Sequence, residues 1–341
     1  LVAHDRGFTD EHRRNGYSTT RVANYGSIAS VALAPTMPAV ARRLHRQYGF
    51  DLVHLHFPDP LGHLTALALP RSVRRVISWH SDIVKQQWAL SLYSPFLQSF
   101  VRDADALIGA TPQHFSTSLQ IPVGKPGQIR EVIPYGFDPA VLGPSDDSRS
   151  KLDELLTERA ERPVIFALGR HVYYKGFDVL IRAMKGVDAS LWIGGRGPLT
   201  ASLTQLAVDL ALADRVKFVG FIPDHLLSAY YEACDVFCMP SVARSEQFGL
   251  VQLEAMYCRK PVVTTRLGTG VEFVTLDGET GLLVPPGDAN ALATALRSLI
   301  ADSALRARLG AAGNRRVSEL FSVEQMVQKT IAVYDRELVD P

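Results

Sequence analysis

Short apolar runs that are typical of buried strands recur along the chain, and each is followed by a stretch with helical periodicity. Strands that alternate with helices form βαβ units, which build parallel sheets. The sequence therefore predicts an α/β chain with two Rossmann-like halves. The predicted strands lie near 16–25, 51–56, 73–79, 106–110 and 128–133 in the first half, and near 163–168, 190–194, 216–219, 235–239, 261–264 and 282–284 in the second.

A polar, charged stretch at 139–162, with a helix predicted around 150–160, separates the two series of strands. We predict that this stretch is the linker and domain boundary. With 341 residues, the chain is long enough for two domains of roughly 150 residues each. Each half has an aspartate at the entry to a buried strand, Asp105 in the first and Asp235 in the second. We predict a first domain at 1–145, a second domain at 160–321 and a C-terminal helix at 322–341.

The stretch from Pro240 to Thr265 carries two carboxylates, Glu246 and Glu254, with seven residues between them. Gly249 frees the backbone for a close approach and opens a helix, so Glu246 precedes the helix and Glu254 lies in its second turn. The first N–H groups of a helix are free to bind an anion. A diphosphate with a sugar on either side suits this arrangement, with one carboxylate for the hydroxyls of each sugar. A solvated helix face explains the two carboxylates equally well.

Two cationic residues follow the strand predicted at 163–168: Arg170, after Gly169, and Lys175, before Gly176. A cationic pair at the end of a strand and beside a helix start can hold a diphosphate. Two exposed surface cations are the alternative.

A glycine-rich turn, Gly194-Gly195-Arg196-Gly197-Pro198, follows the next predicted strand. Its spacing differs from the G-x-G-x-x-G dinucleotide fingerprint, and no acidic residue lies suitably downstream. The turn does not predict a dinucleotide site.

Together these strings resemble the signature of the retaining GT-B glycosyltransferases of family 4 (glycosyl transferases group 1), of the bacterial surface-polysaccharide type. The resemblance rests on the E-x7-E spacing, its flanking Ser-Glu-x-Phe-Gly, Glu-Ala-Met and Pro-Val-Val, and a G-R-x-x-x-x-K-G element at 169–176. It implies two Rossmann-like domains facing a central cleft, with the last helix returning to the first domain. A domain of this fold opens with a strand, a Gly-rich turn and a helix. This chain starts at what looks like the second strand, so we expect the first domain to lack its first βα unit.

The resemblance also implies roles for individual residues. Arg170 and Lys175 would hold the donor phosphates and stabilise the leaving nucleotide, and Glu246 would bind the donor sugar. Glu254 would bind the ribose. The other implied donor-binding positions are Gly195, Phe221, Ile222, Phe248, Gly249 and Leu250.

Histidines at two strand ends are further candidates. His80 matches a histidine that lies over the donor sugar in the family, so the implied catalytic set is Glu246, His80, Arg170 and Lys175. His54 and His56 alternate within one strand and therefore face the same side. Either His56 reaches the cleft, or both are core residues. Phe221 likewise either meets the base or only packs at a strand end.

The pair Asp103 and Asp105 spells the D-x-D pattern of metal-dependent glycosyltransferases of another fold. We reject a metal here because the pair lies at a helix-to-strand transition that we expect to be partly buried. Arg170 and Lys175 supply the positive charge that a metal would otherwise provide. The sequence therefore predicts neither a metal nor another cofactor.

The function that the resemblance implies is transfer of a hexose, with mannose as one candidate, from a GDP- or UDP-hexose to a hydroxyl of a glycan or lipid-linked acceptor. The anomeric configuration would be retained through front-face departure and attack. Two alternatives stay open: a nucleotide-sugar 2-epimerase of the same fold, and a non-catalytic nucleotide-sugar-binding protein. The intact cationic and carboxylate set argues against the second.

The composition of the chain limits the kinds of partner and the cellular location that we expect. Hydrophobic residues make up 47% of the chain, enough for a sizeable core, and no apolar run approaches the ~20 residues that a membrane span needs. Three cysteines, none with a histidine at zinc-ligand spacing, predict reduced thiols in a cytoplasmic protein. Residues 1–140 hold 14 Lys and Arg against 10 Asp and Glu. This excess of positive charge favours an anionic acceptor or the inner face of the plasma membrane as a partner. Ordinary scatter of surface charge explains it equally well.

Two further features bear on partners. The apolar side chains between Trp88 and Phe100 can contact lipid or pack into a core, and the sequence leaves both open. No nucleic-acid motif or dense basic run is present, so we expect no nucleic-acid partner.

Overall fold

The computed structural model describes residues 1–3, 9–14, 16–28, 31–83, 87–159 and 162–339. The α/β chain divides into two compact units. The first unit comprises Leu1–Ala110, His114–Ile133 and Gln328–Pro341, and the second comprises Thr111–Gln113 and Pro134–Val327. No helix among the described residues is both long and apolar enough to cross a membrane.

The first unit contains two small sheets and one parallel sheet. The first small sheet has the order β1-β3-β2, and the second pairs β4 with β5. The four strands of the parallel sheet, β6 to β9, lie in chain order. The strands are β1 (Val2–Ala3), β2 (Asp10–Arg14), β3 (Tyr17–Val22), β4 (Ser27–Ile28), β5 (Val31–Ala32), β6 (Leu52–Phe57), β7 (Arg74–Trp79), β8 (Ala106–Gly109) and β9 (Ile129–Val132).

Helices connect these strands and cover the parallel sheet. They are α1 (Met37–Tyr48), α2 (Pro60–Leu67), α3 (Gln87–Asp103) and α4 (Pro112–Thr117). Phe57 of β6 and Trp79 of β7 are buried against Leu97 and Phe100 of α3. Because these contacts hold its second half in the core, α3 continues through Pro95, whose ring and missing N–H ordinarily break a helix.

A β-hairpin near the start of the chain was not predicted. β2 pairs antiparallel with β3, and Asp10 lies opposite Arg21. The β2 sequence, Asp-Glu-His-Arg-Arg, has no apolar alternation, so it carries no strand signal. Across the two strands, the Arg21 Nε atom pairs with the Asp10 Oδ1 atom at 3.0 Å.

The second unit contains a parallel sheet with the strand order β12-β11-β10-β13-β14-β15. Its strands are β10 (Val164–Leu168), β11 (Ser190–Gly194), β12 (Val216–Gly220), β13 (Val236–Met239), β14 (Val262–Thr265) and β15 (Gly281–Val284). Its α-helices are α5 (Asp146–Arg159), α6 (Phe177–Ala183), α7 (Thr200–Asp209), α8 (Asp224–Ala233), α9 (Leu250–Tyr257), α10 (Val271–Val274), α11 (Ala289–Ala301), α12 (Ser303–Leu320) and the start of α13 (Val323–Val339). Short 3₁₀ turns lie at Pro139–Leu142, Tyr173–Lys175 and Met184–Gly186.

The strand order of the second unit reverses between β10 and β13. From β10 the chain builds the sheet outward through β11 and β12, then returns to β13 on the other side of β10 and continues to β15. In open parallel sheets, ligands bind at the carboxyl ends of the two strands at such a switch point. The loops that begin at Gly169 and Pro240 follow these two strands.

The polar stretch at 139–162, which we predicted to be a linker, belongs to the second compact unit, which begins at Pro134. The stretch includes α5, which packs on α8. The Arg159 guanidinium donates to the carbonyl of Ala233 at 2.6 Å and pairs with Asp235 at 2.7 Å. A polar composition therefore marks the exposed side of a packed helix here.

Helix α13 carries the end of the chain into the first unit, to which residues from Gln328 onward belong. The Tyr334 hydroxyl lies 2.5 Å from the His54 Nδ1 atom. Arg336 pairs with Glu131 of β9 at 2.9 Å. These contacts fix the second half of α13 on the parallel sheet of the first unit.

The two aspartates at strand entries make the same contacts in the two units. Asp105 accepts from the amide of Arg75 at 2.8 Å, and its own amide donates to the carbonyl of that residue at 2.9 Å. Asp235 exchanges the equivalent bonds with Val164, both at 2.8 Å. Each carboxylate therefore joins the start of one parallel strand to the start of its neighbour.

We predict that Asp105→Asn lowers the free energy of unfolding by about 2 kcal/mol at pH 7, because a charged acceptor for the Lys125 ammonium, 2.7 Å away, is lost. Burial raises the pKa of Asp105, but the bonds from Lys125 and the Arg75 amide outweigh it and place the pKa below the usual 3.8. The stabilisation is therefore present above about pH 4 and lost as the pH falls through the lowered pKa. Urea unfolding at pH 7 and at lower pH measures both effects.

Asp103→Asn is the matched control, since the Asp103 side chain is 56% exposed and its ion pair with Arg102 is a surface one. It should change stability by less than about 0.5 kcal/mol. Equal effects of the two substitutions would contradict the role given to Asp105.

Candidate functional site

A buried ion pair lies where the loops after β10 and β13 meet. The Lys175 Nζ atom is 2.5 Å from the Glu246 Oε2 atom, and the two side chains are only 13% and 10% exposed. The Ser241 hydroxyl donates to the same carboxylate oxygen at 2.9 Å. The structure thus brings together two of the residues that the sequence predicted, at the switch point of the sheet.

Hydrogen bonds hold the loop that carries Glu246. The Val242 amide donates to the carbonyl of Tyr174 at 2.8 Å, which joins the loop to the turn of Lys175. The Thr269 hydroxyl donates to the carbonyl of Glu246 at 2.9 Å. The Glu246 carboxylate is therefore positioned by its own backbone as well as by Lys175.

The loops after β10, β11 and β12 are tied to one another through their backbones. The Gly169 amide donates to the carbonyl of Gly194 at 3.1 Å, and the Gly195 amide donates to that of Gly220 at 2.7 Å. Gly195 has φ of 103°, and a Cβ atom there would lie 2.0 Å from the Gly169 carbonyl oxygen, so only glycine fits. Arg170, which follows Gly169, is exposed beside these loops.

Gly249 caps the start of α9, at the predicted position, with φ of 73°. A Cβ atom at this position would lie 2.6 Å from the Met239 Sδ atom at the end of β13, so the glycine allows the loop to pass close to the strand. Leu250, the first residue of the helix, is half exposed.

Phe248 is a core residue by its side chain, which packs on Tyr135 and Phe321. Any ligand contact of Phe248 would therefore use its main chain. At the end of β12, Phe221 is 67% exposed, whereas Ile222 is buried and packs so closely on Gly194 that a Cβ atom there would lie 2.8 Å from the Ile222 Cδ1 atom. Of this neighbouring pair, only Phe221 presents its side chain to solvent.

Glu254 lies on α9, and its carboxylate contacts α8. The Tyr231 hydroxyl donates to the Glu254 Oε2 atom at 2.7 Å. Burial raises the pKa of Glu254, the Tyr231 bond lowers it and the negative charge of Asp224 raises it, so that the pKa lies above its usual value. Asp224 follows Phe221 and Ile222 closely in the chain. The charge of Glu254 therefore acts close to the loop after β12.

His80 belongs to the first unit, where three imidazoles stack. The ring centroids of His54 and His56 are 4.9 Å apart, and those of His56 and His80 are 5.0 Å apart. The His56 Nδ1 and His80 Nε2 atoms share a hydrogen bond of 2.7 Å, and the His54 Nε2 atom lies 2.8 Å from the Ser78 hydroxyl.

The stacked imidazoles are neutral near pH 7. Burial, followed by the neighbouring imidazoles, lowers the pKa of His54 and of His80 to about 4. Burial also lowers the pKa of His56. His54 and His56 face one side of β6, as predicted, and His54 is half-buried whereas His56 is exposed. A neutral His80 can accept or donate a hydrogen bond, but it carries no charge for a ligand.

Two other predicted features lie elsewhere on the first unit. Asp105 is engaged by Lys125 and the Arg75 amide, Ala104 is buried and Asp103 is exposed, so the D-x-D stretch is partly buried, as expected. In the described part of the chain, no group of three or more His, Cys, Asp or Glu is arranged to hold a metal ion. Phe100 of α3 is buried, whereas Leu92 and Phe96 are 71% and 69% exposed.

Sequence reasoning missed the polar side chains that support the predicted ones: Ser241, Thr269 and Tyr231. Ser241 and Thr269 lie in loops next to predicted strands, so their position was a usable signal. Tyr231 lies in a helix and is separated from Glu254 by 23 residues, and no local pattern links the two. The three cysteines are free thiols, and Cys234 and Cys238 are buried.

The fold defines a class, the GT-B glycosyltransferases. Sucrose-phosphate synthase from Thermosynechococcus elongatus superposes with a TM-score of 0.80 at 28% identity, over 99% of this chain and 88% of that one. HepE of Anabaena superposes with a TM-score of 0.76 at 24% identity, over 93% of this chain and 85% of that one. Both have two Rossmann-like domains, and the chain shares this fold.

The chain belongs to the glycosyl transferases group 1 family. The model of that family matches residues 148–316, and the model of the glycosyl transferase 4-like domain matches residues 1–136. The D-rhamnosyltransferase WbpZ of Pseudomonas aeruginosa is 33% identical, over 80% of this chain and 70% of that protein. The chain is therefore an enzyme that transfers a glycosyl group.

Two further relatives cover more of the chain. The O-antigen chain mannosyltransferase C of Escherichia coli is 27% identical, over 93% of this chain and 84% of that protein. The GDP-mannose-dependent alpha-(1-6)-phosphatidylinositol monomannoside mannosyltransferase of Mycolicibacterium smegmatis is 32% identical, over 90% of this chain and 81% of that protein.

Proposed function

We propose that the protein transfers a hexose, with mannose as the first candidate, from a nucleoside-diphosphate sugar to a hydroxyl of a glycan or lipid-linked acceptor, with retention of the anomeric configuration. The observation that carries the proposal is the Lys175–Glu246 pair at the switch point, because it places a cation for phosphate beside a carboxylate for sugar hydroxyls. The names of the mannosyltransferase relatives support mannose, and one of them supports a GDP-sugar donor.

In this proposal Arg170 and Lys175 bind the donor diphosphate. Charge develops on the leaving phosphate as the glycosidic bond breaks, and fixed cations stabilise it in a site that excludes water. Lys175 is held in place by Glu246, and the exposed Arg170 follows the backbone-tied Gly169. Stabilisation of the leaving group is then the largest contribution that these side chains make to the rate.

Each of the two carboxylates binds one of the two sugars of the donor. Glu246 accepts from hydroxyls of the transferred sugar, while Lys175 turns to the phosphate. Glu254 binds the ribose, because its charge is felt at the loop that carries the exposed Phe221, where we place the base. Gly195, Ile222, Gly249 and Leu250 shape this pocket through backbone and packing.

His80 is assigned to the donor sugar as a neutral hydrogen-bonding partner, since the pKa of about 4 leaves it uncharged. We place no carboxylate as a nucleophile, because Glu246 is already engaged by Lys175 and Ser241. Front-face attack, in which the leaving phosphate helps to deprotonate the acceptor hydroxyl, fits this arrangement.

We extend the proposal to a lipid-linked acceptor and a peripheral contact with the membrane. The exposed Leu92 and Phe96 of α3 support the contact, as do the exposed Arg42, Arg43 and Arg46 of α1, a helix without acidic residues. Transfer assays with the acceptor in solution and in anionic vesicles test the membrane contact. We expect faster transfer to the acceptor in the vesicles.

The test of function begins with a thermal-shift panel of GDP-, UDP- and ADP-sugars, followed by mass spectrometry of the products formed with an acceptor. We predict that Arg170→Ala and Lys175→Ala each lower kcat/KM by roughly 10²-fold or more, because charge stabilisation of the leaving diphosphate is lost. The matched control is Lys185→Ala, an exposed lysine at the other end of α6, which should retain activity.

Wild-type turnover in both Arg170→Ala and Lys175→Ala would contradict the diphosphate assignment. An epimerised nucleotide sugar formed without acceptor would identify a 2-epimerase instead of a transferase. Binding of a nucleotide sugar without any product would identify a binding protein.

We also propose that transfer needs no metal ion, since Arg170 and Lys175 supply positive charge and Asp105 is held by Lys125 and a backbone amide. We expect undiminished activity in EDTA. Loss of activity that added Mn²⁺ restores would contradict the proposal and return attention to Asp103 and Asp105.

A further inference from the structure

Tyr231 places a buried hydroxyl on the carboxylate of Glu254. The residue is fully buried, and its ring packs on Phe166 and Phe237 with centroids 5.4 and 5.5 Å apart. Its hydroxyl donates to the Glu254 Oε2 atom at 2.7 Å and lies 3.4 Å from the Val251 carbonyl oxygen. A buried phenol requires such a partner, and a carboxylate oxygen can only accept, so the phenol is the donor.

The phenol is a permanent donor. Burial, together with the negative charge of Glu254, raises the pKa of Tyr231 well above 10, so it stays protonated. Its bond favours the ionised form of Glu254, against burial and the charge of Asp224, which both raise the pKa of that carboxyl. Tyr231 therefore favours the charged form of Glu254, against burial and the Asp224 charge, which favour the neutral acid.

The bond also selects which oxygen is free. The Glu254 Oε2 atom is occupied, and within the described residues no protein group donates to its Oε1 atom. A carboxylate with one oxygen fixed by a rigid donor can direct the other at a ligand, and it loses little side-chain freedom when the ligand binds.

We infer that Tyr231 is a positioning residue, which holds the Glu254 carboxylate turned so that Oε1 accepts from the ribose hydroxyls of the donor nucleotide. The inference rests on the proposed donor site and adds to it the device that makes Glu254 a selective ribose acceptor. A merely structural hydroxyl would stabilise the fold and leave the choice of ligand unchanged.

The test compares nucleotides with and without ribose hydroxyls. GDP and UDP are titrated into the wild-type protein, and the tighter of the two is compared with its 2′,3′-dideoxy analogue. We expect the wild-type protein to prefer the ribonucleotide by about tenfold or more, as for hydrogen bonds to a charged acceptor. Tyr231→Phe should lose most of this preference and bind the dideoxy analogue within about twofold of the wild-type protein.

The pH dependence separates positioning from packing. Without the phenol, the pKa of Glu254 rises further, so ribonucleotide binding by Tyr231→Phe should weaken at a higher pH than in the wild-type protein as the pH is lowered. Tyr230→Phe is the matched control: Tyr230 is also buried and its ring stacks on Phe166, but we assign it no contact with Glu254. It should leave both the ligand preference and the pH profile unchanged.

Glu254→Gln, alone and combined with Tyr231→Phe, gives a second line of evidence. It should remove the preference and its pH dependence, and Tyr231→Phe should add nothing to it. A wild-type protein that binds nucleotides but does not prefer the ribonucleotide would overturn the inference. So would an equal loss of both ligands in Tyr231→Phe with an unshifted pH profile. If neither GDP nor UDP binds the wild-type protein, the proposed function fails first, and the inference fails with it.

Discussion

The Lys175–Glu246 ion pair is the interaction on which the second unit's site depends. It joins the loops that follow two adjacent strands, β10 and β13, across the point where the order of the sheet reverses. Two charges that are so little exposed are costly to leave unpaired, so removing one partner leaves an uncompensated charge for the other. A ligand that offers an anion to Lys175 and hydroxyls to Glu246 can replace each partner, and a nucleoside-diphosphate sugar has both groups.

The sheets determine where such a site can form. Parallel strands end together, so loops that are far apart in sequence meet at one edge, and Lys175 and Glu246 are 71 residues apart. Asp105 and Asp235 secure the opposite edge of the two sheets through the same pair of bonds to a neighbouring strand. The edge that begins the strands therefore stabilises the fold, which leaves the other edge free to carry polar and cationic side chains.

Much of this fold could be predicted from the sequence, because buried parallel strands are continuous apolar runs and β6 to β15 end within two residues of the predicted limits. Gly249 was predictable because the start of a helix close to a strand requires its backbone freedom. The β2 strand was not, since its charges show no alternation. A helix around 150–160 was predicted within the linker, but its polarity concealed the packing of α5 on α8. Tyr231 has no local signal, as its contact with Glu254 exists only in the folded chain.

The most direct test of the account is to titrate Glu246→Gln and the wild-type protein with a nucleoside diphosphate and with its hexose conjugate. We assign Lys175 to phosphate and Glu246 to sugar. The variant should therefore bind the free nucleoside diphosphate at least as well as the wild-type protein, since Lys175 loses its competing carboxylate. It should lose the added affinity that the hexose provides. An equal loss of affinity for both ligands would contradict the division of the pair between phosphate and sugar.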